Sequence, residues 1–272
     1  MQPIGVFDSG VGGLSVLKAL RLEMPHERFV YVSDAGHAPY GERDAEHVLQ
    51  RSMAIGNYLV RQQHAQAIVV ACNTATAAAI AALRTAHPTL PIVGVEPALK
   101  PAAARSRTGK VGVLATRSTL TSAKFQTLLQ AQNPAVRFVL QACDGLAAAI
   151  EHDDSAQIQS LCARYTANMG QFGAAPGSID TLVLGCTHYA FVATGLQKLV
   201  GPDVTLLDAG QPVAQRTNSL LVSRNQTPLA EGSDEENAGW VELWTTGAVE
   251  ILQEAARRWL LGAGPVRHVL LG

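Results

Sequence analysis

The chain has 272 residues, 47% hydrophobic and 16% charged, enough for one large domain or two modest ones with full cores. With 21 Lys and Arg against 22 Asp and Glu, there is no field to attract nucleic acid or a membrane surface. No apolar run approaches the roughly 20 residues of a membrane span, and the first residues carry neither a basic n-region nor an apolar h-region, so a cytoplasmic protein is expected.

Short runs rich in Val, Ile and Leu predict strands over 3–7, 29–33, 67–72, 91–95, 110–115, 136–141, 180–186 and 204–207. Between them, 12–24, 43–64, 74–87, 118–131, 145–169, 190–200 and 210–223 carry helical or Ala-rich spacing. This alternation is the signature of α/β domains with parallel sheets. Two proline-bearing joints, 96–101 and 208–212, bracket a central block of ordinary domain size. The expected architecture is two similar parallel-sheet α/β domains related by pseudo-two-fold symmetry, with the active site in the cleft between them. The first domain takes both chain ends, 1–97 plus 209–272, and the second is inserted over 98–208. Near the C-terminal end, 224–239 reads as an exposed polar loop, 240–244 as an edge strand, and 248–261 as a helix.

The loops that follow the strands hold the candidate chemistry, because α/β folds place their sites at the carboxyl ends of strands. Asp8-Ser9-Gly10-Val11-Gly12-Gly13 follows the first strand; it is neither a dinucleotide fingerprint nor a Walker loop, and Asp8 or Ser9 as a plain helix cap explains it equally well. Pro39-Tyr40-Gly41 reads as a turn before a long helix. Cys72-Asn73-Thr74 ends the third strand, with Asn73 or Thr74 suited to cap the helix that follows. Thr116 to Thr119 repeats that arrangement, and Gly185-Cys186-Thr187-His188 ends a later strand much as Cys72 does. Helix N-termini rich in Ser, Thr and Asn suit a small carboxylate ligand, and only Arg43 and Arg117 bring positive charge to these loops.

Of the four cysteines, Cys162 and Cys143 read as buried, inert core residues. Cys72 and Cys186 differ, because each leaves a strand directly into small polar residues. No C-x-x-C pair, zinc spacing or H-E-x-x-H is present, and none of the five lysines ends a strand where a pyridoxal Schiff base would need it. Thiol chemistry without a cofactor or metal is the economical reading. His188, two residues beyond Cys186, is a candidate helper because imidazole titrates near neutrality.

Taken in order, Asp8 to Ser15, Pro39-Tyr40-Gly41, Ala71 to Ala75 and Gly185 to Tyr189 resemble the signatures of the cofactor-independent glutamate racemases of bacterial cell-wall synthesis, within the aspartate/glutamate racemase superfamily. The resemblance implies that Cys72 and Cys186 are the two acid–base thiols, with Asp8 attending Cys72, and His188 and Glu151 attending Cys186. It implies substrate contacts at Asp8, Ser9, Pro39, Tyr40, Gly41, Asn73, Thr74, Thr116, Thr119, Thr187 and His188, glutamate as the partner molecule, and Cys72 acting on D-glutamate with Cys186 on L-glutamate. The family usually has proline where Ala190 and Asp144 stand here, which touches loop shape rather than chemistry. Aspartate racemase or another two-thiol α-carbon isomerase is the nearest rival, and a non-catalytic racemase-like binding protein a remote one. The sequence leaves the oligomeric state open, a homodimer included.

Overall fold

Ten strands in two all-parallel sheets organise the described residues, which in this computed structural model are 2–223, 239–260, 262 and 264–271. The chain divides into two compact units, one running up to Val95 and resuming at Gly210, the other spanning Glu96–Ala209.

In the first unit the strands are β1 (Ile4–Asp8), β2 (Phe29–Ser33), β3 (Ala67–Val70), β4 (Ile92–Gly94), β9 (Val241–Thr245) and β10 (Val266–His268). Their spatial order is β10-β9-β2-β1-β3-β4, so the late strands extend the sheet beside β2. Residues of both parities along β1 and β3 are fully buried, as expected where helices cover both faces. Those helices include α1 (Leu14–Glu23), α2 (Ala45–Arg61), α3 (Asn73–Ala86), α10 (Gly210–Val222) and α11 (Val249–Trp259). Helix α1 buries Leu14, Leu17 and Leu20 at helical spacing and packs on α10. Helix α2 starts where Asp44 accepts a hydrogen bond from the His47 N–H at 2.7 Å.

The second unit holds β5 (Lys110–Ala115), β6 (Arg137–Ala142), β7 (Thr181–Leu184) and β8 (Thr205–Leu207) in the order β6-β5-β7-β8. Val111, Val113 and Val183 pack on one face with Leu99 and Phe125. Leu114, Leu182 and Leu184 pack on the other with Leu161, Cys162 and Leu196. In each unit the strand order reverses beside the first strand: β1 has β2 on one side and β3 on the other, and β5 has β6 and β7. A crevice opens at the carboxyl ends of such strand pairs. Cys72 follows β3 and Cys186 follows β7, so each unit carries one thiol at its switch point.

Several expected elements differ in extent. The helix expected over 118–131 is two, α5 (Arg117–Thr121) and α6 (Ala123–Gln130), because Ser122 adopts an extended backbone and its hydroxyl accepts the Phe125 N–H. The helix expected over 145–169 breaks into α7 (Leu146–Glu151) and α8 (Ser155–Met169), with Asp153 left-handed at φ 55° and Asp154 capping the second. The joint at 96–101 contains the start of α4 (Leu99–Arg105); Pro101 fits there because N–H groups of a first turn have no intrahelical partner. Strands expected to reach Cys72 and Cys186 stop at Val70 and Leu184, and a short 3-10 helix, Thr187–Val192, precedes α9 (Ala193–Val200). The segment expected as an edge strand, β9, is paired on both sides, and the three-residue β10 forms the edge instead. The expected loop over 224–239 lies, apart from Gly239, outside the described residues, as does residue 261. No helix among the described residues is long and apolar enough to cross a membrane.

Candidate active site

Asp8, the last residue of β1, is fully buried, and its Oδ2 accepts the Gly13 N–H at 2.6 Å. That closes the glycine-rich turn on itself. A Cβ at Gly13 would lie 2.6 Å from Asp8 Cβ and 2.8 Å from the Tyr31 hydroxyl oxygen, so only glycine fits. The Tyr31 hydroxyl in turn donates to the Gly10 carbonyl at 2.6 Å. Asp8 therefore ties the turn together rather than capping α1, whose N-cap is Gly13 with no side-chain bond.

Cys72, not Asn73 or Thr74, is the N-cap of α3: its Sγ accepts the Ala75 N–H at 3.4 Å. Its backbone is extended, which turns the chain from strand to helix with the sulfur over the helix N-terminus. Helix N–H groups and the positive end of the helix dipole suit a negatively charged sulfur there. Ser9 Oγ lies 3.8 Å from Cys72 Sγ. Asn73 and Thr74 occupy the first turn and are buried, and Asn73 Oδ1 has no hydrogen-bond partner among the described residues. A buried amide oxygen in that state suits an incoming donor such as an ammonium group.

Pro39, Tyr40 and Gly41 form a turn beside α3. The Tyr40 hydroxyl donates to Asp34 Oδ2 at 2.6 Å, and burial together with the Asp34 charge pushes its ionisation far above the usual phenol range. Asp34 is fully buried, which opposes its charge, but donors from Arg51, Tyr40 and Thr246 outweigh burial and hold the carboxyl below its usual range. Arg51 and Thr246 carry no local motif. They meet Asp34 only through the fold, Arg51 from inside α2 and Thr246 just beyond β9.

In the second unit, Thr116 is the N-cap of α5, its Oγ1 accepting the Thr119 N–H at 3.2 Å while the two hydroxyl oxygens lie 2.9 Å apart. Cys186 follows β7, whose tip approaches β5 closely: the Gly185 N–H donates to the Leu114 carbonyl at 2.7 Å. Cys186 Sγ lies 3.8 Å from His188 Nδ1, and His188 Nε2 lies 2.7 Å from Glu151 Oε2 at the end of α7. Burial opposes a charge on His188. The hydrogen bonds to Cys186 and Glu151 and their charges outweigh burial and hold the imidazole well above its usual range. Thr187, between Cys186 and His188 in the chain, is buried.

The other thiols have a different character. All four cysteines are thiols rather than disulfides. Burial, with the Cys186 charge, pushes Cys143 up to about 12, and burial alone pushes Cys162 up to about 11. Both stay protonated at neutral pH. Arg117, one of the two cations expected near a ligand, pairs with the exposed Asp144 at 2.5 Å. No group of three or more His, Cys, Asp or Glu among the described residues is placed to hold a metal ion.

The site residues thus fall into two sets. Asp8, Ser9, Pro39, Tyr40, Gly41, Cys72, Asn73 and Thr74 belong to the loops around the β1–β3 switch point of one unit. Thr116, Thr119, Glu151, Cys186, Thr187 and His188 surround the β5–β7 switch point of the other. Fold and site define a two-unit parallel α/β protein with a buried thiol at each switch point.

Residues 15–217 match the sequence family described as Asp/Glu/Hydantoin racemase. A glutamate racemase of Pseudomonas entomophila is 47% identical over 240 residues, covering 88% of each chain. One from Methylococcus capsulatus is 46% identical over 257 residues, covering 92% of this chain and 89% of the other. Among solved structures, a glutamate racemase isoform from Bacillus anthracis superposes with a TM-score of 0.85 at 32% identity, over 99% of this chain and 98% of the other. The Thermus thermophilus glutamate racemase in complex with β-chloro-D-alanine gives 0.78 at 33% identity, over 99% and 97%. The chain belongs to the Asp/Glu/Hydantoin racemase family.

Proposed function

We propose that this protein interconverts L- and D-glutamate by passing the α-proton between two cysteines without a cofactor, in a bacterial cytoplasm, and so supplies D-glutamate for peptidoglycan. The observation that carries the reading is the pair of buried thiols, each at a switch point and each with its own proton-handling neighbours: the α3 N-terminus and Ser9 at Cys72, and His188 with Glu151 at Cys186. Curated glutamate racemases alike over most of the chain support glutamate as the substrate.

Racemisation takes a proton from one face of the α-carbon and returns a proton to the other. In each turnover one cysteine is a thiolate, which accepts the α-proton, and the other is a thiol, which gives its own to the opposite face. The free enzyme is left with the two roles exchanged. An ordinary thiol, with pKa about 8.5, is a minority thiolate at neutral pH. At Cys72 the Ala75 N–H and the helix end stabilise the charge. At Cys186 a protonated His188, held in place by Glu151, does so. The carbanion formed between the two steps spreads its charge into the α-carboxylate, which donors at Asn73, Thr74, Thr116 and Thr187 are suited to receive. Cys72 then serves D-glutamate and Cys186 L-glutamate.

Purified protein treated with EDTA and given no cofactor tests the reading, with L-glutamate, D-glutamate and both aspartates offered separately and the enantiomers resolved by chiral chromatography. The expected result is an equal mixture from either glutamate and far slower turnover of aspartate. Preference for aspartate contradicts the substrate assignment, and silence with all four contradicts racemisation.

A further inference from the structure

We propose that Arg51 is a positioning residue for the Pro39–Tyr40–Gly41 loop: through Asp34 it fixes Tyr40, and the carbonyl of Leu271 fixes Arg51 in turn. The proposal rests on the preceding functional reading only in taking that loop as a contact of the substrate.

The Asp34 carboxylate, 0% exposed, gathers donors from its own loop, from α2 and from the segment just beyond β9. Arg51 straddles it, with Nε 3.0 Å from Oδ2 and Nη2 3.0 Å from Oδ1. Thr246 Oγ1 donates to Oδ1 at 2.8 Å, and His37 Nδ1 lies 3.2 Å from the same oxygen. The Tyr40 hydroxyl donates to Oδ2 at 2.6 Å. A phenol has one proton to give, and here Asp34 takes it. Tyr40 therefore contributes its ring and backbone to the site, and its hydroxyl serves as the peg that holds the loop.

Arg51 decides whether that peg holds. A buried carboxylate stays ionised only where donors and cations outweigh its burial, and at Asp34 Arg51 leads the donors and supplies the cation. Without Arg51 it takes up a proton, becomes a competing donor, and no longer requires the Tyr40 hydroxyl to point at it. Lysine cannot substitute, since a point charge does not bridge two carboxylate oxygens while also meeting a third acceptor. That third acceptor is the Leu271 carbonyl, 3.1 Å from Arg51 Nη1. The segment after β10 thus reaches back to the helix that aims the guanidinium. Tyr40 and Cys72 share one buried cluster, so a shift of the loop is felt beside the thiol.

The test is a double-mutant cycle with Arg51→Met, Arg51→Lys and Tyr40→Phe, assayed beside the wild type for kcat, KM and Tm. Arg51→Met is expected to raise KM for both enantiomers together by about tenfold or more, with a smaller change in kcat, and Arg51→Lys to give little rescue. The Arg51→Met/Tyr40→Phe double variant should be no worse than its worse parent, because both changes release the same peg. An unchanged KM in folded Arg51→Met, or effects that simply add, overturns the proposal; a lower Tm with unaltered KM assigns Arg51 a structural role only. If Arg51→Met does not fold, the cycle is read with Arg51→Lys by the same criterion. A wild type that leaves glutamate untouched contradicts the substrate reading instead, and the Tm arm of the cycle still reports whether Arg51 and Tyr40 are coupled.

Discussion

His188 Nε2 lies 2.7 Å from Glu151 Oε2, with both side chains almost wholly buried. The pair makes the protonated imidazole the favoured form in the fold, so its stabilisation has a pH window. A folded pKa raised above the unfolded value near 6.5 contributes fully below about pH 6.5 and is lost as pH rises through the raised value. The stability gap between wild type and His188→Gln, measured by urea unfolding, should therefore be largest below about pH 6.5 and shrink as pH rises through the raised value. A gap that is flat or grows with pH contradicts the assignment. Glu151→Gln should lower the imidazole pKa toward its ordinary range, visible by NMR titration of the ring.

Loss of either thiol is expected to remove one hand of the proton relay. Cys72→Ser and Cys186→Ser should each lose roughly 10² to 10⁴ in kcat/KM, the usual worth of a positioned acid–base group, while keeping wild-type circular dichroism. Cys162→Ala, in contrast, changes a protonated core thiol and should affect stability but not turnover. Near-normal racemisation by either serine variant overturns the two-thiol mechanism.

Asn73 separates stability from function. Its buried Oδ1 makes no hydrogen bond among the described residues, so truncation removes a group that the folded chain leaves unsatisfied. Asn73→Ala should cost less than about 1 kcal/mol, or stabilise, in thermal unfolding. The same variant should raise KM for glutamate by about tenfold, the loss of one hydrogen bond to a charged group. A variant that loses stability while keeping its KM places Asn73 in the scaffold rather than on the substrate.

Gly185 is expected to tolerate no side chain. A Cβ there would sit 2.8 Å from the Leu114 carbonyl oxygen and 3.0 Å from Ala115 Cβ, both on the neighbouring strand. Gly185→Ala should destabilise by about 1–3 kcal/mol, the typical cost of overpacking, and should displace Cys186 enough to depress activity as well. Denaturant midpoints and turnover measured on the same preparation check both.

The strand tips were the legible part of the chain. Fully buried parallel strands appear as continuous apolar runs, and small polar residues immediately after them announce a strand-to-helix turn. Cys72 and Cys186 stood out for that reason. The helix breaks at Ser122 and at Asp153–Asp154 were hidden, since these residues also occur on exposed helix faces and only the backbone shows them capping new helices. Strand β10, Val266-Arg267-His268, holds one apolar residue in three, so no apolar run marks it. The Asp34 network was invisible for a different reason: Arg51, Thr246 and Leu271 lie far from Asp34 along the chain, and each looks ordinary where it stands. Cys72 showed as a strand-tip thiol but not as its own helix cap, because cysteine is seldom used for that purpose.

The most direct test of the two-thiol account is the fate of deuterium at low conversion. D-glutamate incubated in D2O with the wild-type protein, then separated into enantiomers and weighed by mass spectrometry, reports which face exchanges with solvent. The account predicts one α-deuterium in the L-glutamate formed and protium in the D-glutamate recovered, with the mirror result from L-glutamate. Protium carried over into the product, or deuterium in the recovered starting enantiomer at the rate of product formation, points to a single base serving both faces and contradicts the account.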